Sequence, residues 1–320
     1  YDESPFIDTM ANYLGTNVKK LNLSLDKENI FNILEELIWF NDQPVASLSN
    51  LSHHLLVKMA RDSGIKVLMT GQGADELLCG YRKYLMFYVQ YLIRNGKLRK
   101  AYKVISEFHK NNTIISQFNF SEAKRYLKYF SGKGIKDSRG DALKDVIQLN
   151  LGLEKGSTIV SRQLMDCKYF SLPQLLHTED RMSMAVSTEM RVPFLDVEFV
   201  ETVLPLSIDC KIKNGWTKYI FRKSMEQYLP STITWRKDKQ NFGNAQGELL
   251  KGFLSEEIRN NYFSSDSLIF KKQIMKRNRL MKTFGKYINQ PVNKGLVAYK
   301  EIFAPISLEI WLRKFENYIV

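Results

Sequence analysis

Cysteine and histidine are scarce in this 320-residue chain, with three of the first and four of the second. Cys79, Cys167 and Cys210 are odd in number and far apart. That excludes the disulfide framework of a small secreted domain and offers no zinc-ligand spacing, so the thiols read as small buried apolar groups in a reducing, cytoplasmic setting. His53 and His54 are neighbours on a predicted helix and point to different faces, while His109 and His177 have no partner at ligand spacing. No structural zinc is expected. Also missing is any run near the ~18 to 20 apolar residues of a membrane span, and the opening residues carry no signal-peptide pattern. No membrane partner is expected.

Acidic residues are outnumbered, 34 Asp and Glu against 47 Lys and Arg, for a net charge of +13. Such an excess raises the question of nucleic acid. The basic residues are spread along the chain, however, with concentrations at 94–103, 211–223, 236–239 and 271–286. The densest, "KKQIMKRNRLMKTFGK", interleaves them with Ile274, Met275, Leu280 and Met281 at helical spacing. A solvated amphipathic helix explains this more simply than a nucleic-acid patch, and a nucleic-acid partner is not expected.

What is present in quantity is apolar: 44% of residues are hydrophobic and 12% aromatic, enough for one large domain or two packed lobes. "NVKKLNLSL" (17–25) alternates as a half-exposed strand would, and Asp26 is placed to cap a helix with Ile30, Ile33, Leu34, Leu37 and Ile38 on one face. A second helix, near 50–62, carries Leu51, Leu55, Leu56 and Met59 and stops at Gly64. "IKVLMT" (65–70) is apolar almost throughout, as a parallel strand covered on both faces would be. Strand, helix, helix, strand predicts a doubly wound α/β domain with a mainly parallel sheet, and a helix-rich stretch, roughly 82–130 and 158–177, follows. Ligands of such sheets sit beyond the carboxyl ends of the strands.

"TGQGADE" (70–76) lies at that place. Gly71 and Gly73 allow close approach of a phosphate or nucleotide, or positive φ. A helix starting near Ala74 would turn its free N–H groups the same way. Asp75 and Glu76 would repel a bare phosphate, so a magnesium ion between them and the ligand reconciles the pattern. A plain glycine turn whose acids complement the helix dipole explains it too. Farther on, "HTEDRMSMAVSTEMRVPFLD" (177–196) sets Asp180, Arg181, Glu189 and Arg191 among apolar residues, which predicts either an ion-pair scaffold or the wall of a polar site. A basic loop follows with Arg236, Lys237 and Lys239. A lysine delivered by such a loop neutralises charge in a transition state, although most lysines simply face solvent.

Three segments, "LMTGQGADELLCGY", "EDRMSMAVSTEMRVPFLD" and "LPSTITWRKDKQNFG", in that order, resemble the synthetase domain of the asparagine synthetase family. The opening "YDESPFIDTMANYLGTNVKKLNL" and the closing "ISLEIWLRKF" extend the resemblance over most of the chain. It implies the PP-loop ATP pyrophosphatase (adenine nucleotide α-hydrolase-like) fold. Residues 1–95 would be the remainder of the α/β ATP-binding domain, and 96–320 the helix-rich region completing the active site. It implies a ligase using ATP and Mg2+: a carboxylate, by resemblance the aspartate side chain, is adenylated with loss of pyrophosphate, and ammonia drawn from glutamine displaces AMP. By carry-over, Thr70, Gly71 and Gly73 meet the nucleotide, and Asp75, with Glu76, holds magnesium. Lys239 offsets transition-state charge, Gln72 hydrogen-bonds the acyl-adenylate, and Asp180 and Arg181 wall the acceptor pocket. A homodimer is a candidate assembly.

Three departures accompany the resemblance. The family's Ser-Gly-Gly-x-Asp-Ser pyrophosphate loop and its N-terminal glutaminase are absent from these residues, so the sequence is expected to be a fragment of a longer protein. Gln72 stands where asparagine-forming enzymes commonly have Glu, and a neutral amide cannot be a general base. Asn241 stands where Gly usually precedes the phenylalanine, here Phe242. Gln72 leaves open a sugar or peptide carboxylate as acceptor. An RNA-modifying PP-loop adenylating enzyme and a catalytically silent interaction domain are the readings from other classes.

Overall fold

A computed structural model describes residues 3–20, 27–113, 140–143, 158–237, 244–252, 254–291 and 297–318. Asp26, Lys239, Asn241 and Phe242 lie outside the described residues, as does most of the strand expected at 17–25. Its described part, 17–20, has no regular secondary structure.

The apolar spacing of Ile30, Leu34, Leu37 and Ile38 makes the helix Lys27–Asn41, and all four side chains are buried. The next helix, Ser49–Asp62, ends where Gly64 takes φ +82° and donates to the Arg61 carbonyl, with Ile65 N–H reaching Ala60. Its buried side runs through Leu51, His54 and Val57 rather than through Leu55, Leu56 and Met59, which are half-buried. The reason is tertiary. Helices 27–41 and 171–184 pack against it together, and His54 is tolerated at that contact with Nδ1 at 3.4 Å from the Met182 carbonyl.

Strand β1, Val67–Met69, pairs in parallel with β2, Glu189–Arg191, in the register Val67 to Glu189, Leu68 to Met190 and Met69 to Arg191. These are the only strands among the described residues, which are otherwise mostly helical. The expectation of a strand covered on both faces is corrected here. Val67 and Met69 are 39% and 77% exposed, because alternate side chains leave one face of β1 and no described element packs there. The chain between the two strands contributes helices Arg82–Arg94, Leu98–Lys110, Ile159–Lys168 and Ser171–Met184. The first three of these enclose a core of Tyr84, Tyr88, Leu92, Val104, Phe108 and Ile159.

The largest core joins helix 27–41 to the C-terminal helix Tyr299–Phe315, through Leu34, Leu37, Phe303, Ile306 and Ile310. Each such side chain contributes about 1.5–3 kcal/mol when fully buried. Glu309 is fully buried in this helix, accepts from the Leu268 and Ile269 N–H groups at 3.0 and 2.9 Å, and pairs with Arg313 at 2.7 Å. It caps the short helix Leu268–Lys271 from a distance. The basic segment 271–286 is not one continuous helix. Gln273 sits at φ +56°, and the helix proper is Arg277–Asn289, with Leu280, Phe284 and Tyr287 inward. No helix among the described residues is long and apolar enough to cross a membrane.

Candidate active site

The loop after β1 is aligned by the sheet itself, for Thr70 N–H donates to the Arg191 carbonyl at 2.9 Å and extends the ladder past Met69. Gly73 then takes φ +90°, and a Cβ there would lie 2.3 Å from Leu195 Cδ2. Glycine is required at that position by both backbone and space. Gly71 has no such demand: a Cβ would meet nothing within 4 Å, so its surroundings are open. The helix expected from Ala74 is only the turn Ala74–Leu77, too short to develop much of a macrodipole. Its carbonyls are held from behind, where the Gln163 amide donates to Glu76 O and Leu77 O at 2.8 and 2.7 Å. Fully buried Lys211 donates to the other end of that amide at 3.1 Å.

The acidic pair is divided by this turn. Asp75 meets Lys218 Nζ at 2.9 Å, both about a quarter exposed. Gly80 makes room for that pair, since a Cβ there would come within 1.8 Å of Asp75 Oδ1 and 2.4 Å of Lys218 Cε. Glu76 points inward, 1% exposed, and accepts from Tyr81 Oη and Ser171 Oγ, each at 2.9 Å. Next to it, buried Asp166 accepts from Tyr84 Oη and pairs with Lys83, both at 2.8 Å. Burial and these carboxylates push the Tyr81 and Tyr84 phenols well above their ordinary range. The two acids therefore do not converge on one cation, and among the described residues no three His, Cys, Asp or Glu side chains do. The arrangement does not fit the expected two-carboxylate magnesium site.

The carboxylate that does face the glycine loop is Glu179, which the motif reading passed over for its neighbours. It is 5% exposed. Thr70 Oγ1 donates to Glu179 Oε2 at 3.2 Å, and the Gln72 side chain lies close enough to favour the charged carboxylate. His53 Nε2, from helix 49–62, stands 3.8 Å from Glu179 Oε1. Burial raises the Glu179 pKa, with the Thr70 hydrogen bond and the nearby Gln72 amide opposing it, and burial followed by the His54 charge lowers that of His53. One signal could have found Glu179. It continues the apolar stripe Leu172, Leu175 or Leu176, then Met182, at helical spacing.

Asp180 and Arg181 face the other way. Both are exposed. Arg181 pairs with Asp42 at 3.0 Å, and Glu189 with Arg191 at 2.8 Å. Of the segment's charges, the buried one is Glu179 alone. The approach to the basic loop is fixed by half-buried Arg222, which donates to the carbonyls of Thr217, Thr234 and Arg236 at 2.9, 2.6 and 3.3 Å. Arg236 itself pairs with Glu3 at 2.9 Å and covers the Phe6 ring.

A glycine loop at the carboxyl end of a short parallel strand pair, backed by helices and beside a buried carboxylate, lies where open α/β sheets take their ligands. The asparagine synthase family matches residues 1–313, and the chain belongs to that family. Asparagine synthetase [glutamine-hydrolyzing] 1 of Bacillus subtilis (strain 168) is 26% identical over 266 residues, 76% of this chain and 40% of that protein. Asparagine synthetase [glutamine-hydrolyzing] 3 of the same organism is 25% identical over 325 residues, 99% of this chain and 48% of its own. A shorter match, 31% identical over 80 residues, is to the amidase chyE of Penicillium rubens, 25% of this chain and 12% of that protein. The chain thus spans under half the length of these relatives. Membership implies the adenine nucleotide α-hydrolase-like fold, in a family that uses ATP.

Proposed function

We propose that this chain forms the synthetase part of an ATP-dependent amide-forming ligase. A carboxylate oxygen attacks the α-phosphorus of ATP, pyrophosphate leaves, and ammonia displaces AMP from the acyl-adenylate. The observation that carries the reading is the open loop Thr70–Gly73 at the end of β1, tied to buried Glu179. Adenylation is the chemically necessary step, because a carboxylate has no adequate leaving group until its oxygen is esterified to phosphate. In this reading Thr70 and Gly71 meet the nucleotide by backbone and hydroxyl, while Gly73 supplies the bend. Gln72 donates towards the activated acyl group, and Lys239 offsets its developing charge. Lys218, already at 2.9 Å from Asp75, is the described cation nearest this turn. Asp180 and Arg181, exposed on the outer side of their helix, would reach an acceptor only at its mouth. Asp75 would face a nucleotide-borne magnesium only by giving up Lys218.

Aspartate is the acceptor that the synthetase relatives suggest, with glutamine as nitrogen source. Similarity to proteins named amidases, together with Gln72, keeps a different small carboxylate as the second reading. The test is carboxylate-dependent ATP–pyrophosphate exchange by the full-length protein, aspartate first and then sugar and peptide carboxylates. Exchange with aspartate supports the first reading. Exchange only with another carboxylate supports the second, and exchange with none refutes both.

A further inference from the structure

We propose that Glu179 is the proton acceptor of the amide-forming step and that His53 carries the proton onward to solvent. The proposal rests on the ligase reading above. Its basis is one buried carboxylate on helix 171–184 that accepts from Thr70 of the loop at 3.2 Å, with the Gln72 side chain beside it and His53 Nε2 at 3.8 Å. An amide at position 72 can donate to Glu179. A carboxylate there would instead set two acids side by side. Gln72 and Glu179 are therefore complementary, and the negative charge of the loop's floor is held by the helix rather than by the loop.

The chemistry balances. As ammonia attacks the acyl carbon, a C–N bond forms and the C–O bond to the phosphate of AMP breaks. AMP leaves with the electron pair, and the nitrogen sheds one proton. Glu179 takes that proton and becomes a neutral carboxylic acid, which its buried position favours. His53 Nε2, at 3.8 Å from Oε1, has no hydrogen-bond partner among the described residues, and about a third of its side chain is exposed. Burial lowers its pKa, which opposes a resting positive charge on the ring. Among the described residues, the titratable and charged groups around this pair are His54, adjacent on the His53 helix, with Glu36 of helix 27–41, which pairs with His54 at 3.8 Å, and Lys58, whose charge acts on His54 in the opposite sense. Arg181, on the helix of Glu179, is engaged by Asp42 on the outer side.

The test compares full-length wild type, Glu179→Gln and the double variant Gln72→Glu/Glu179→Gln, each given ATP and aspartate. Pyrophosphate release is measured beside capture by ammonium and by hydroxylamine, whose much less basic nitrogen sheds its proton to water without a base once the C–N bond has formed. In Glu179→Gln the ratio of ammonium-derived amide to pyrophosphate should fall about 100-fold or more, as for loss of a general base. The hydroxamate-to-pyrophosphate ratio should stay near that of wild type. Wild-type amide formation should climb with pH through a limb lying above the ordinary glutamate range, and the variant should lack it. The double variant, which exchanges amide and carboxylate between the two neighbouring side chains, should recover at least tenfold of the loss. Unchanged ammonium capture with the limb intact overturns the proposal. So does an equal loss of both captures and of pyrophosphate release in a folded variant, which would make Glu179 a positioning residue for the loop. A wild type without aspartate-dependent pyrophosphate release, by contrast, refutes aspartate as the acceptor and removes the proposal with it.

Discussion

Gly80 should be replaceable by alanine only when Asp75 is absent. Its φ lies outside the left-handed region, so an alanine meets no backbone strain there. What it meets is the ion pair: the new Cβ would fall 1.8 Å from Asp75 Oδ1, 2.8 Å from Asp75 Cγ and 2.4 Å from Lys218 Cε. Overpacking of this kind costs about 1–3 kcal/mol. The pair itself, about a quarter exposed, contributes roughly 1 kcal/mol or less. Gly80→Ala alone should therefore lower stability by about 2 kcal/mol in urea unfolding followed by near-UV circular dichroism. In an Asp75→Ala background both Asp75 contacts vanish and the Lys218 chain can withdraw. The lost unfolded-state entropy, worth about 0.4–1 kcal/mol, then dominates, and the same substitution should become neutral or stabilising. The expected coupling is about 2 kcal/mol, well beyond the ~0.5 kcal/mol scatter of independent sites. Additive costs would refute the packing around this turn.

Gly73→Ala should destabilise by about 2 kcal/mol or more through its positive φ and the Leu195 contact, whereas Gly71→Ala should change stability little; the same urea assay reads both. Glu309→Ala should lower the unfolding midpoint strongly, by about 3–5 kcal/mol equivalent, because it leaves two N–H groups at 268 and 269 without their acceptor. Cys79, its thiol pushed up to about 12 by burial, should resist a thiol reagent at pH 8 until the protein is unfolded. The raised Glu179 pKa has a definite sign in stability: the folded state binds more protons than the unfolded one between the two pKa values. Stability should fall as pH rises from the unfolded carboxyl's pKa through the folded one, and Glu179→Gln should flatten that slope in urea midpoints measured across the window.

Local chemistry in the sequence determined the helices 27–41 and 49–62, the turn at Gly64, the short strand at 67–69 and the bend at Gly73, because periodicity and glycine act within a few residues of themselves. The family resemblance rested on the same local motifs, and residues 1–313 match it. Which carboxylate serves the loop was decided only in three dimensions. Asp75 and Glu76 adjoin in sequence, yet one tight turn sends the first to Lys218 and the second into the Tyr81–Ser171 network. Asp180 and Arg181 looked embedded because their neighbours are apolar, but a helix rotates about 100° per residue, and the inward position belongs to Glu179. Lys218 and His53 carry no motif. They reach the site because the His53 helix packs on helix 171–184 and the Lys218 N–H is held by the Leu78 carbonyl, contacts between segments far apart in sequence that only the assembled core brings together.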